Sequence, residues 1–169
     1  MLAAISHNLD EGRYKNAVLY FIKYCNNKYL GLTKLNKLFY YLDFVSFRDT
    51  GKSVTGDTYI HQQFGPVPAH LDEILASLKK ENKIDARSIS VNHDKEKIEF
   101  DLVDDIAPDE SVFTGDQKAV LKAICDEFGS WSTEKIVSQT HLEAPWFFSK
   151  PLEEVDYHYS KDIEFFQKA

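Results

Sequence analysis

Apolar positions recur with helical spacing along most of the chain and alternate with polar ones in a single stretch. Tyr14, Ala17, Val18, Phe21, Ile22 and Cys25 follow the i, i+3, i+4, i+7 rule and predict an amphipathic first helix. Asn26 and Asn27 can stop it, since Asn tolerates the left-handed conformation at a helix end. The next run is different. Leu35, Leu38, Phe39, Leu42 and Val45 fall on one face and Tyr40, Phe44 and Phe47 on another. A helix apolar on most sides must be covered by several neighbours, which predicts that this one is the centre of the fold. Thr33 suits its N-cap, with Asn36 at the third position, and Gly51 is available just past an end at Arg48 to Thr50.

Beyond it, Val54 to Phe64 alternates poorly but contains Thr58, Tyr59 and Ile60, which predicts a short extended segment. Gly65 and Val67 each precede a proline and are held out of the helical basin. Pro68 suits the first turn of a third helix, which buries Leu71, Ile74, Leu75 and Leu78 and ends in Lys79, Lys80 and Lys83, favourable charges for a helix C-terminus. Residues Ser88–Asn92 and Lys97–Leu102 alternate polar and apolar around His93-Asp94-Lys95-Glu96, the pattern of a β-hairpin. After an acidic linker from Asp104 to Ser111, Thr114 and Gln117 form a capping-box pattern. The helix it opens turns Val120, Leu121, Ile124, Cys125 and Phe128 inward and stops at Gly129. Ser132 caps a shorter helix through Thr140, His141 to Pro151 is an aromatic loop, and Ser160 to Ala169 reads as a short charged helix. The expected fold class is α+β and mainly helical: a compact helical domain with one β-hairpin over residues 1–150, and a C-terminal tail over 151–169. Three helices followed by a hairpin also describe winged-helix-like elements.

Composition narrows the function classes. The 169 residues are 43% hydrophobic and 14% aromatic, ample for a packed core. A net charge of −7 repels nucleic-acid phosphate and favours a protein partner or small ligand. Only Lys79, Lys80, Lys83 and Arg87, beside the hairpin, offer a basic patch for a DNA-binding regulator. No run approaches the roughly 18 apolar residues of a membrane span. The first residues, MLAAISHNLDEGR, lack the basic and apolar regions of a secretion signal. Cys25 and Cys125 have no spaced partners for zinc and are expected to be buried, reduced thiols, which together place the protein in the cytoplasm.

Catalytic and cofactor motifs are not found. The six histidines, His7, His61, His70, His93, His141 and His158, show no HExxH or paired spacing for a metal. There is no GxSxG elbow and no dinucleotide fingerprint, and Gly51-Lys52-Ser53 lacks the earlier glycine of a phosphate loop. His61, His70, Asp57 and His141 stand as the one set from which a small enzyme would have to be built. No cofactor or metal is expected. Asp43, in the middle of the apolar helix, is expected to be a structural tie satisfied by Arg48, Lys37 or a neighbouring backbone N–H, with binding as the alternative. Gly56-Asp57 and Gly65-Pro66 are turn chemistry first. Between them Tyr59, Gln62, Gln63 and Phe64 make up a rigid loop suited to protein recognition. Trp146, in a Pro-Trp-Phe-Phe run, is either a lid on the core or an interface residue. The partner-facing set read from the chain is Asp57, Tyr59, Gln63, Phe64, Gly65, Pro66 and Trp146.

Leu35-Asn-Lys-Leu-Phe-Tyr40 with Asp43, Gly56-Asp57-Thr58-Tyr59, Gly65-Pro66-Val67, and the later His141 and Pro145-Trp146 resemble the SocA-like antitoxin family. Its shared unit is the Panacea domain of toxin–antitoxin and phage-associated proteins. The resemblance spans most of Tyr14 to Trp146. It implies a non-enzymatic antitoxin that neutralises a cognate toxin encoded beside it, by direct binding or as an adaptor that delivers the toxin to a protease.

Overall fold

The computed structural model describes residues 8–25, 30–92 and 95–167, the side chains at 91–92 and 95–96 aside. The expected helix stop at Asn26–Asn27, the His93–Asp94 part of the hairpin link, His7 and the last two residues of the tail lie outside them. Helix α1 (Glu11–Tyr24) is N-capped by Asp10, whose carboxylate accepts the Arg13 backbone N–H at 3.0 Å. The central helix α2 (Leu32–Thr50) has Gly31 rather than Thr33 as its N-cap and ends on Gly51. Residues Leu35 to Ser46 apart from Asn36 are buried in an unbroken run, so α2 is the core around which the rest is laid. Tyr14 and Phe21 of α1 pack on Phe39 at ring distances of 5.1 Å each.

Two antiparallel two-stranded sheets appear among the described residues, one more than the hairpin foreseen. The expected hairpin is β3 (Ile84–Asn92) with β4 (Lys95–Leu102). The additional one pairs β1 (Tyr59–Gln62) with β2 (Gly65–Pro68), Tyr59 opposite Pro68 and Gln62 opposite Gly65. Pro66 and Pro68 are tolerated because β2 is an edge strand that can forgo N–H donors. Pro68 therefore closes a strand instead of opening a helix, and His70 is the N-cap of α3 (Leu71–Lys80). Because β1–β2 stands between α2 and α3, the helix, helix, helix, hairpin order of a winged helix is interrupted.

Helix α4 (Gly115–Phe128) opens on the foreseen capping box, with Thr114 and Gln117 bonding reciprocally. Ser132 caps α5 (Thr133–His141), and a single turn, α6 (Ala144–Phe147), follows with Pro145 in its first positions. The tail is woven into the domain. Leu152 N–H donates to His61 O at 2.9 Å, His61 N–H to Glu153 O at 2.9 Å and Val155 N–H to Tyr59 O at 2.7 Å, so residues 152–155 take the second edge of β1. Over the described part of the tail, residues 160–167, the expected α-helix is not formed; a 3₁₀ turn covers Tyr157–Asp162. Arg48 accounts for the difference. Its guanidinium donates to the carbonyls of Ile163, Phe165 and Phe166 at 2.6–3.0 Å, which holds that backbone in a turn at Phe165–Phe166 against α2, with Phe166 at φ +58°.

The cysteines overturn the expectation of free thiols. Cys25, at the end of α1, and Cys125, on α4, form a disulfide with Cα atoms 5.0 Å apart. Their separation of 100 residues is bridged by the docking of the two helices, which no sequence spacing reveals.

Candidate protein-interaction site

The polar motif residues of the central run are bonded inside the fold, in three internal ties. The first is Asp43. Its carboxylate is fully buried and accepts the backbone N–H groups of Val54 and Thr55 at 2.8 and 2.9 Å, and the hydroxyls of Thr55 and Tyr59 at 2.5 Å each. It is the foreseen structural tie, held by the turn's own backbone and not by Arg48 or Lys37. Burial pushes its pKa up to about 6, against the pull of those donors. Tyr59 Oη also lies 2.8 Å from Phe39 O, so below that pKa Asp43 can donate to Tyr59 and Tyr59 to the helix carbonyl.

The second tie is Asp57. It accepts Tyr14 Oη at 2.7 Å, the backbone N–H of Thr58 at 2.8 Å and of His70 at 2.9 Å, and its Oδ1 lies 2.6 Å from His70 Nδ1. One buried carboxylate thus fastens α1, the turn and the start of α3. Gly56 before it has φ +77°, and a Cβ there would fall 1.7 Å from Asn8 O, so only glycine lets the chain pass.

The third tie joins α2 to β2 and α5. Lys37, fully buried, donates to Pro66 O at 2.9 Å, and burial pushes its pKa down to about 7. Its stem presses on Gly65, where φ is +112° and a Cβ would lie 2.7 Å from both Lys37 Cε and Thr140 Oγ1. Next to it, Tyr40 and Tyr41 both donate to buried Glu143 at 3.0 Å, with Gln139 Nε2 at 3.2 Å. Burial raises the Glu143 pKa to about 7 despite these donors. Nothing in the local sequence signals this pairing; only the periodicity that puts Tyr40 and Tyr41 on a buried helix hints that their hydroxyls need acceptors.

The histidines are divided by these ties. Asp57 orients His70, while His61 and His141 stack on opposite faces of Trp146 at ring distances of 4.3 and 4.1 Å. Ser149 Oγ lies 2.7 Å from His61 Nδ1 and 2.9 Å from Trp146 O, which ties the His61 ring to the turn after α6. Burial, then Lys37, lowers the His141 pKa. Among the described residues no group of three or more His, Cys, Asp or Glu side chains is placed to hold a metal ion. The basic patch beside the hairpin is interleaved with acids: Arg87 pairs with Asp101 at 2.9 Å, and Glu81 pairs with Lys15 at 2.8 Å and Lys83 at 3.8 Å.

The residues read as partner-facing are split by the fold. Asp57, Tyr59, Gly65 and Pro66 are buried, and the two polar side chains among them, Asp57 and Tyr59, are bonded inside the fold. Gln63 and Phe64 form its two-residue tip and are exposed. Trp146 is half-buried in its histidine stack, its Nε1–H donating to Gln62 O at 3.0 Å, which moors α6 to the tip. Near this mooring in the chain stand several exposed apolar side chains: Phe64 is 58% exposed, Leu142 79%, Phe147 66%, Phe148 61% and Leu152 74%. They are five of the seven exposed large hydrophobics among the described residues, and all lie at the tip or between residues 142 and 152. Leu152 is held at φ +66°, uncommon for a bulky residue.

No described helix is long and apolar enough to cross a membrane. The family model described as Antitoxin SocA-like, Panacea domain matches residues 35–147. No curated protein and no solved structure matches the chain.

Proposed function

Because the chain belongs to the SocA-like antitoxin family, with its Panacea domain, we propose that it is an antitoxin that neutralises a toxin by binding it directly, without catalysis. The observation that carries this reading is the gathering of exposed apolar side chains around the hairpin tip and α6. A folded protein has little reason to keep Phe64, Leu142, Phe147, Phe148 and Leu152 together in water unless a partner covers them. The three ties beneath explain how such a face stays rigid: Asp43, Asp57 and Lys37 fix the turns on either side of β1–β2, so little conformational entropy is left to lose on binding. The partner contacts are assigned to Gln63, Phe64 and the rim of Trp146, with Asp57, Tyr59, Gly65 and Pro66 supporting them. An acidic chain of net charge −7 gains steering toward a basic toxin.

The reading places the protein in the cytoplasm with its toxin, where reducing conditions act against the Cys25–Cys125 bond. Delivery of the toxin to a protease is the variant mechanism. The test is growth rescue: the product of the adjacent open reading frame, toxic when expressed alone, is neutralised by co-expression of this protein. Absence of rescue for such a product refutes the reading. Rescue that persists in protease-deficient cells, with toxin half-life unchanged, favours direct inhibition, and rescue lost there favours delivery.

A further inference from the structure

A cleft of about 770 Å³ opens between α6 and the tail, within the range of about 300–1,000 Å³ in which proteins hold ligands. Leu142, Phe147 and Phe148 line it with their exposed apolar side chains, and Glu143, Asp162 and Glu164 contribute carboxylates. Asp162 and Glu164 stand exposed on the tail, whereas Glu143 lies buried against Tyr40 and Tyr41. No lysine or arginine is among the residues lining the cleft.

We propose that this cleft seats a basic amphipathic helix of the partner protein. Apolar side chains at i and i+4 of such a helix would fill the space between Leu142 and Phe148, and flanking lysines or arginines would meet Asp162 and Glu164. Charge selects the occupant. An acidic helix would set like charge against like, and a neutral one would strip water from two carboxylates without replacing it. A second copy of this chain would bring the same apolar patch with the same acidic rim, so self-association through this face is opposed by its own field. That the partner is a toxin rests on the antitoxin reading; the chemistry of the cleft does not.

The probe is a fluorescein-labelled Leu–Lys amphipathic peptide of about five helical turns, titrated with the full chain and followed by anisotropy. Saturable binding that weakens as salt rises is expected, with none by the Leu–Glu peptide of the same pattern. The Asp162→Lys/Glu164→Lys double variant, whose altered side chains are exposed, is expected to keep the wild-type melting temperature and to bind the Leu–Lys peptide at least about tenfold more weakly. Phe148→Ser should do the same. The proposal is overturned if the Leu–Lys peptide does not bind, if it binds the charge-reversed variant equally, or if sedimentation shows wild-type dimers that Phe148→Ser abolishes. Growth rescue separates the two readings. Rescue undiminished in the double variant removes the cleft and leaves the antitoxin, whereas wild-type failure to rescue removes the antitoxin while the peptide titration still decides the cleft.

Discussion

Replacing Asp43 by alanine tests the tie on which the α2-to-turn geometry depends. The substitution removes the acceptor of two buried backbone N–H groups, Val54 and Thr55, and of two hydroxyls. The hydroxyls can turn elsewhere, since Tyr59 Oη already lies 2.8 Å from Phe39 O. The two amides cannot. Leaving each unsatisfied costs about 1–3 kcal/mol, so the expected loss is about 4 kcal/mol. With a urea slope of about 2 kcal/mol/M, a typical value for a small domain, the denaturation midpoint should fall by about 2 M. Asp43→Asn keeps one carbonyl oxygen for the two amides and lets the hydroxyls accept from its NH₂, so its loss should be about 1 kcal/mol. Urea melts followed by tryptophan fluorescence and circular dichroism read both values. An alanine variant within about 1 kcal/mol of the wild type would refute the account, since it would mean that the amides find other partners.

Glu143 gives a pH signature. Its folded pKa of about 7 lies above the ordinary 4.5, so its contribution is fully present below pH 4.5 and is lost as pH rises through 7. The wild type minus Glu143→Gln stability difference should therefore fall by up to about 3 kcal/mol across that window; a flat difference contradicts the assignment. Reducing the Cys25–Cys125 bond opens a loop of 100 residues and should lower stability by about 2–5 kcal/mol, seen as a drop in Tm with dithiothreitol that Cys125→Ser reproduces and that added reductant does not deepen. Gly65→Ala combines a positive φ with contacts of 2.7 Å to Lys37 and Thr140, so a loss of about 2 kcal/mol or more is expected in the same melts, against a small effect for Gly115→Ala, whose Cβ meets nothing.

What could be read from the sequence was local. The all-round apolar pattern of Leu35 to Phe47 identified the buried central helix, and Asp43 inside it read first as a satisfied carboxylate, with binding as the alternative. The capping box at Thr114 and the β3–β4 alternation carried their own geometry. What escaped depends on partners far along the chain. Pro66 and Pro68 spoke against a strand until β2 is seen to need only one paired edge. The tail read as a helix because Arg48, more than a hundred residues away, is what claims its carbonyls. Cys25 and Cys125, and Glu143 with Tyr40 and Tyr41, meet only because whole helices dock. The candidate surface was legible in part for the same reason. Tyr59 and Phe64 look equally available in the sequence, yet strand alternation and the Asp43 tie turn Tyr59 inward and leave Phe64 at the tip.

The central claim is that the rigid apolar face around Phe64 and α6 covers a toxin. Isothermal titration calorimetry of the purified protein with the product of the adjacent open reading frame tests it most directly. Saturable binding is predicted, weakened at least about tenfold, or about 1.4 kcal/mol, by Phe64→Ser, with the variant's melting temperature unchanged. Binding of equal strength by wild type and by a Phe64→Ser/Phe148→Ser double variant would contradict the account.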